Sequence, residues 1–388
     1  MSVSYWNDSS NKNIKTYDVC IIGGGITGLS VGYWLTQEDS NLKIAIVEKN
    51  TLGSGATGRN AGFVTCGSVE HFNRMVSKHG EQKAFEIWKF AQVNMDLLKS
   101  EIICNDHSNL SFEQIGAFSL AAQDSEFNEL KTTARLMDKN GIPVEVINQI
   151  EVEMKLGATG FVGGIKYCDD GAVDPIALLK RIKSKTNVDF FENTEVSRVQ
   201  DDSNGSRNVQ TSKGTLSCPI VIHCTNGYAA AIDSFFENKI YPTRGQVMML
   251  ESVPLFMEAP CYANFYLDYF RQLSNGALLI GGFRQLESDT EKGFSDHTTE
   301  KIQEALLDFV KNHLPQFKNS QVTHRWAGVM GFSVDGEPMN GSLPTDNQQF
   351  FCGGFTGHGI GLAFHAAKAT VDLIFDRSIP DWISARRF

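Results

Sequence analysis

The sequence predicts an α/β protein in which a Rossmann-like, doubly wound unit is interleaved with a second unit rich in strands. Three observations carry that expectation. An apolar run, a glycine-rich turn, a helical stretch and a second apolar run follow one another between Tyr17 and Glu48. Strand-rich sequence then occupies Tyr241 to Phe283. Finally the chain returns, from Phe350 to Phe375, to a short apolar run, a glycine cluster and a long helical pattern. With 388 residues, 41% of them apolar, the chain can bury a sizeable core, and its length suggests about two domains.

Tyr17 to Ile22 is short, apolar and closed by glycines, as a buried parallel strand should be. Ile26 to Gln37 has helical spacing, with Ile26, Leu29, Tyr33 and Leu35 available as a core face, and Lys43 to Glu48 is a second strand. Together they form one βαβ unit. Helices are expected at Gln82 to Ile103 and Ser125 to Lys139. A third opens at Asp174-Pro175, an N-cap followed by proline in the first turn, and runs through Lys183. Pro219 to Cys224 reads as a buried strand before a turn at Asn226-Gly227. Within the strand-rich segment, Ser274-Asn275-Gly276 is a turn. Ile302, Leu306, Phe309 and Val310 mark an amphipathic helix from Thr298 to Leu314. Phe350 to Cys352 is a last strand and Gly357 to Phe375 a last helix.

Bulk properties exclude several classes. The net charge is −10 and no Lys/Arg run stands out, which argues against nucleic acid or an anionic membrane as partner. Apolar stretches fall far short of the roughly 20 residues a membrane span needs. Met1 to Thr16 is polar and has no apolar signal core, so a cytoplasmic location is expected. The eight cysteines, Cys20, Cys66, Cys104, Cys168, Cys218, Cys224, Cys261 and Cys352, form no CxxC pair and no zinc-type cluster. They are read as buried, reduced thiols, and no metal is expected.

Gly23-Gly24-Gly25-Ile26-Thr27-Gly28 satisfies the GxGxxG fingerprint in the context that gives it meaning, after a strand and opening a helix. Gly23 permits the tight turn, Gly25 lets the backbone approach a pyrophosphate, and Gly28 lets the helix pack on the sheet. Helix N–H groups and the macrodipole favour the phosphate charge, and Glu48 would accept from the ribose hydroxyls. FAD is preferred over NAD because the C-terminus carries a second glycine cluster. There Gly353 to Gly361 leads into a helix whose N–H groups could face the flavin edge that becomes anionic on reduction. A glycine-rich helix start needed only for packing is the alternative.

In this order, these segments resemble the D-amino-acid oxidase superfamily of FAD-dependent oxidoreductases, in the branch with glycine, sarcosine and γ-glutamylputrescine oxidases. The similarity covers nearly the whole chain. Leu52-Gly53-Ser54-Gly55-Ala56-Thr57-Gly58-Arg59-Asn60-Ala61-Gly62 is similar to the segment lying beside the flavin ring. Val221 to Tyr228 resembles the family's "VxATNAY" strand and turn. Arg325-Trp326-Ala327-Gly328 with Asp335 to Gly341 resembles RxWAG…DGxPxxG, and Phe355 to Gly361 the flavin-edge loop. The resemblance implies a flavin domain, expected at 1–85, 148–240 and 323–388. It also implies a substrate domain built on a large antiparallel sheet, expected at 86–147 and 241–322. Cofactor contacts implied are Gly23, Gly25, Ile26, Thr27, Gly28, Glu48, Lys49, Ser54, Thr57, Arg59, Asn60, Ala61, Val196, Thr225, Asn226, Gly227, Gly328, Gly357, His358, Gly359 and Ile360.

The departures narrow the reading. Relatives that attach flavin covalently use a cysteine where this chain has Gly328 or a histidine where it has Arg59, so non-covalent FAD is expected. Glycine oxidase-like members hold the substrate carboxylate with an arginine just after the WAG, where this chain has Met330. A carboxylate needs a bidentate cation for oriented binding, so the change points to an amine, or to a carboxylate held elsewhere. Arg271 and Arg284 are the candidates to replace it, or are surface arginines on strands. Sarcosine oxidase-like members carry a lysine that helps oxygen react; the matching strand, Ala277 to Gly282, has none.

The reaction expected is oxidation of a C–N bond in a small amine or amino acid by hydride transfer to flavin N5, the imine then hydrolysing. No strong protein base is required; orientation and a positive group near the reduced ring are. Arg59, His358 and Arg244 are the catalytic candidates, although Arg244 is open to a strand-capping role and His358 to a loop-holding one. Tyr262, Tyr266 and Tyr269 suit a wall for a cationic or apolar amine, or serve sheet packing. An oxidase is expected ahead of a dehydrogenase that passes electrons to a quinone or carrier. A flavin subunit needing a partner chain is a further alternative. The acidic charge disfavours a tRNA-modifying role.

Overall fold

A computed structural model describes residues 14–202, 204–264 and 268–388. Two compact units are each built from several segments. The first comprises Met1–Gly58, Leu178–Thr243 and Met330–Phe388; the second comprises Arg59–Ala177 and Arg244–Val329.

The first unit is centred on a six-stranded sheet in the order Met339–Leu343, Asp346–Gly353, Ile220–His223, Val19–Ile22, Ile44–Val47, Asp189–Phe191. All pairings are parallel except that of the two strands joined by the 344–345 turn. Val19–Ile22 and Ile44–Val47 are wholly buried, which is why they read as continuous apolar runs without alternation. On one face lies a small sheet containing Val196–Asp201, Arg207–Thr211 and Gly214–Cys218. Cys20, Ile22, Ala45 and Val221 meet Val209 and Leu216 in this apolar layer. The helix Ile26–Glu38 packs beside the last helix, Gly359–Ile374. Tyr33 and Phe364 lie 5.5 Å apart by ring centroid, and the Trp34 Nε1–H donates to the Phe364 carbonyl at 2.9 Å.

The second unit is built on an eight-stranded sheet in the order Val322–Ser333, Ile240–Leu250, Leu278–Gly281, Asp268–Gln272, Cys261–Ala263, Ala117–Ala121, Gly163–Tyr167, Val144–Asn148, of which residues 240–243 and 330–333 count with the first unit. Period-two alternation gives it two faces. Phe118, Met248, Phe270 and Ile280 point to one and bury Leu306 and Phe309 of the helix Glu300–His313. Tyr262, Tyr269 and Arg271 lie on the other. There the two-residue strand Phe63–Val64, paired with Gly171–Ala172, brings Phe63 to 5.1 Å from the Tyr262 ring and 5.9 Å from Tyr269.

The expected elements form, with informative differences. The 82–103 pattern is a helix, Glu81–Leu97, that widens into a π-helical turn at Leu98–Ile103 and stops at Cys104, whose φ is 51°. Asp174 caps the next helix, Oδ1 accepting from the N–H groups of Ile176 and Ala177. Compact units and expected domain segments part at 59–85, 148–177, 241–243 and 323–329. The pairing of Phe63–Val64 with Gly171–Ala172 and of Gly163–Tyr167 with Ala117–Ala121 gathers the first two of these segments into the second unit. Six cysteines are buried, but Cys104 is exposed and Cys168 half-buried, so the all-buried expectation fails for those two; all eight are free thiols.

Candidate functional site: a glycine cradle and an aromatic sheet face

In the first unit, the turn after Val19–Ile22 is built by glycines for distinct reasons. Gly23 has φ of 107°, and a Cβ there would lie 2.6 Å from the Cys224 carbonyl oxygen. At Gly28 a Cβ would lie 1.9 Å from the Gly23 oxygen, so only glycine lets the helix sit this close. Gly25, the helix N-cap, supplies no side-chain cap, and a Cβ on it would meet only Thr57 Oγ1, at 3.0 Å.

That Oγ1 accepts from the Ile26 N–H at 3.0 Å. Among the described residues no acceptor serves the N–H of Thr27 or Gly28, both buried. Buried first-turn donors without an acceptor, above a turn cleared of side chains, fit a pyrophosphate. Glu48 stands at the end of the next strand, Oε2 accepting from the Gly24 N–H at 2.9 Å and Oε1 from the Asn50 N–H at 3.0 Å. Its carboxylate is thus fixed beside the turn, where a ribose recognition residue is needed.

The C-terminal cluster forms a second backbone cradle in this unit. Gly354 and Gly357 have φ of 72° and 87°, and Thr356 49°. Asn226, itself at φ 46°, accepts the Gly354 N–H on Oδ1 at 3.0 Å, tying the loop to the turn that follows Ile220–His223. The Thr225 Oγ1 in that turn is buried and has no hydrogen-bond partner among the described residues. His358 Nδ1 lies 3.1 Å from the Thr356 carbonyl oxygen, so its ring braces the loop that opens helix Gly359–Ile374. Met330 approaches the same loop: a Cβ on Gly357 would have its sulfur as nearest neighbour, at 3.9 Å. Gly227 is buried in the turn after Ile220–His223, and Ile360 is buried at the start of the helix Gly359–Ile374.

Other expected contacts sit less centrally. Lys49 is exposed and pairs with Glu195 at 2.8 Å. Ser54 closes a local turn through the Thr51 carbonyl at 2.7 Å. The Val196 side chain is sunk in the apolar layer beneath the sheet, leaving only its backbone for a ligand.

The second unit begins with Arg59, directly after Thr57-Gly58 in the chain. Its Nη1 donates to the Ala327 carbonyl at 2.6 Å and pairs with Asp296 at 3.1 Å, while the Trp326 Nε1–H donates to the Arg59 carbonyl at 3.0 Å. Gly328 is required by this packing, since a Cβ would come within 2.8 Å of Arg59 Cβ. Asn60 Oδ1 accepts the Gly62 N–H at 2.7 Å, a local turn that sets up Ala61 and Gly62. Tyr262 donates to or accepts from Thr65 Oγ1 at 2.8 Å, and burial pushes the Tyr269 phenol up to about 12. Tyr266 lies outside the described residues. Arg284 is half-buried in a 3-10 turn, Arg284–Glu287.

Arg244 is clasped rather than open. Its Nε donates to Glu291 Oε2 at 2.9 Å, Nη1 to Ser295 at 3.0 Å and Nη2 to the Thr290 carbonyl at 3.3 Å, with Glu291 1% exposed. That geometry suits a structural anchor, the strand-capping role, and leaves little of the guanidinium for substrate. The sequence reading missed Glu291 and also Asp170, whose Oδ1 holds the Cys66 N–H at 3.0 Å. Neither lies in a periodic pattern or a motif, so burial alone reveals them.

Residues 18–373 match the DAO family model, described as FAD dependent oxidoreductase. The chain belongs to this family. Its relatives include the probable oxidoreductase OrdL of Haemophilus influenzae, 25% identical over 96% of this chain and 88% of that protein. Another is the sarcosine oxidase subunit beta of Rhodobacter capsulatus, 24% identical over 88% of this chain and 81% of that one. Among solved structures, glycine oxidase from Geobacillus kaustophilus superposes with a TM-score of 0.81 at 22% identity, covering 94% of this chain and 96% of that one. The expected DAO fold and FAD cofactor are borne out. No helix among the described residues is long and apolar enough to cross a membrane, and none of their acidic, His and Cys side chains cluster as a metal site.

Proposed function

We propose that the chain oxidises the C–N bond of a small amine or amino acid, using FAD held without a covalent bond. The observation that carries this reading is the aromatic sheet face of the second unit. Phe63, two residues after the Arg59–Ala61 segment assigned to the flavin, packs edge-on to Tyr262 and Tyr269. Such a surface holds the carbon skeleton of a small amine, keeps water away and lowers the local dielectric. FAD, when bound, would supply the two-electron oxidising capacity needed to remove hydride from the carbon that bears nitrogen. The chain's part is orientation and charge: backbone N–H groups at Gly357–Gly359, in the first unit, would stabilise negative charge. Relatives named for glycine and sarcosine oxidation lend support to the substrate class.

Two finer readings follow. Oxygen is the expected acceptor, although the Leu278–Gly281 strand offers only Leu278, Leu279, Ile280 and Gly281, favouring a dehydrogenase where a lysine would favour oxygen. A relative named as a subunit of sarcosine oxidase raises the reading of a partner-dependent chain. Anaerobic bleaching of the flavin by primary amines, N-methyl amines and amino acids tests the proposal. Bleaching by one class is expected, with rapid recovery in air for an oxidase. A flavin that none of them bleaches would refute autonomous C–N oxidation.

A further inference from the structure

We propose that the second unit carries a proton exit from its aromatic face, made of the Tyr262 and Thr65 hydroxyls, one water in the cavity beside them, and Glu70. The inference rests on the proposed C–N oxidation and supplies a step which that reaction needs. Hydride leaves the substrate carbon only when the nitrogen beside it has a free lone pair. An amine whose pKa is about 10 is an ammonium ion at neutral pH. Its extra proton must therefore leave first, across a surface that Phe63, Tyr262 and Tyr269 make largely apolar.

Tyr262 and Ser119 are register partners on neighbouring parallel strands, so both side chains leave the sheet on the aromatic face. There the Tyr262 hydroxyl and Thr65 Oγ1 lie 2.8 Å apart, both residues buried, and either can donate to the other. A bond that can reverse its direction hands on a proton without moving its oxygens. Beside Tyr262, the helices Val69–His79 and Asp124–Lys139 leave a cavity of about 10 Å³ for the centre of a water, room for one molecule. Ser68, Glu70, Ser119 and Glu126 complete its polar lining, which meets the roughly two to four partners a buried water requires.

Glu70 stands in the first turn of a helix that Ser68 caps, the Ser68 Oγ accepting the His71 N–H at 3.3 Å. Its Oε1 accepts from Arg74 Nε at 3.2 Å, whereas Oε2 is buried with no hydrogen-bond partner among the described residues. The side chain is 26% exposed, so a proton that reaches it can go on to solvent. Burial raises its pKa and Glu129 adds to the rise, while Arg74 and Arg284 oppose it. A carboxylate balanced in this way both takes a proton and releases it. Neighbouring acids suit the task less. Glu126 Oε2 already accepts the Ala122 N–H at 2.8 Å. Asp170, within electrostatic reach of Tyr262, is 1% exposed and, with its pKa raised to about 8, keeps its own proton at neutral pH. In the transfer the ammonium N–H bond breaks, the hydroxyl pair takes that proton and gives one of its own to the water, and a water proton ends on Glu70 Oε2. Each hydroxyl is restored and no electrons are lost.

Coupling is read first on the FAD-loaded full chain without substrate, from the infrared C=O band that appears as Glu70 takes up a proton between pH 8 and pH 4. Loss of the band in Glu70→Gln identifies it. Tyr262→Phe should shift that band; if this variant does not fold, Ser119→Ala, which takes another hydroxyl from the cavity, should shift it instead. Anaerobic flavin reduction by benzylamine, sarcosine and glycine is then followed against pH. Glu70→Gln should be at least about tenfold slower than the wild type at pH 7, and the deficit should close at pH 10, where a free amine has no proton to lose. A band that these hydroxyl deletions leave in place, or a deficit absent at pH 7 or equally large at pH 10, overturns the proposal. Coupled groups in a chain whose flavin none of the three compounds reduces would leave the water link standing and remove the C–N oxidation reading. Flavin reduction with one pH profile for wild type and Glu70→Gln would do the reverse.

Discussion

Replacing Asp170 with asparagine should remove a pH dependence built into the second unit. Asp170 is 1% exposed; Oδ1 accepts the Cys66 N–H at 3.0 Å, its carbonyl accepts the Gly116 N–H at 2.8 Å, and Oδ2 is buried with no hydrogen-bond partner among the described residues. Burial raises its pKa to about 8; the bonds from Cys66 oppose the rise and the charge of Asp169 adds to it. The native state therefore holds this proton more tightly than the unfolded chain does. Stability from the group is complete below about pH 4 and is lost as pH rises towards 8. A shift from 3.8 to about 8 corresponds to an upper bound of about 6 kcal/mol, at roughly 1.4 kcal/mol per unit. Even a third of that, about 2 kcal/mol, is measurable. Asparagine keeps the Oδ1 acceptor and is neutral throughout. Urea unfolding of both proteins at pH 5, 7 and 9 can be followed by tryptophan fluorescence, Trp88 lying 5.7 Å from Tyr167 in the same unit. Asp170→Asn should gain on the wild type as pH rises, other titrating groups cancelling in the difference. Parallel stability curves would show that Asp170 is not protonated in the native state, and the reasoning would fail.

Three further outcomes follow from the geometry. Gly28→Ala places a methyl 1.9 Å from the Gly23 oxygen, so FAD occupancy, read from the ratio of flavin to protein absorbance, should collapse. Glu291→Gln strands the buried Arg244 and should destabilise the second unit by about 3–5 kcal/mol in denaturant titration, whereas Asp296→Asn, at an exposed pair, should change stability by less than about 1 kcal/mol. Thr57→Val removes the acceptor of the Ile26 N–H and should cost about 1 kcal/mol of stability, with Thr57→Ser restoring it.

Legibility in the sequence followed the physics of each element. The strand–turn–helix at Val19–Glu38 was readable because its glycines are required by steric contacts that admit no other residue, and because strands buried on both faces are continuously apolar. The amphipathic helix Glu300–His313 was readable for its stripe of Ile302, Leu306, Phe309 and Val310. The family resemblance implies that segments 59–85 and 148–177 go with the flavin domain, whereas residues 59–85 and 148–177 group with the second unit through strand pairs such as Phe63–Ala172, over 100 residues apart. Such pairing leaves no local pattern. Arg271 and Arg284 were equivalent in the sequence, both following an aromatic residue in strand-rich segments. Burial separates them, Arg271 being buried and Arg284 half-buried, and burial is a tertiary property. Arg244 carried a motif-like context but needed Glu291, 47 residues away, to reveal that its charge is already matched.

The central claim is that this chain converts a C–N bond to a carbonyl at the expense of its flavin. It is tested most directly by counting products in a single anaerobic turnover of the FAD-loaded protein with whichever amine or amino acid bleaches it. One carbonyl compound and one molecule of ammonia or amine should appear for each flavin reduced. Bleaching without a carbonyl product, or release of a carbonyl without loss of nitrogen, would contradict the account.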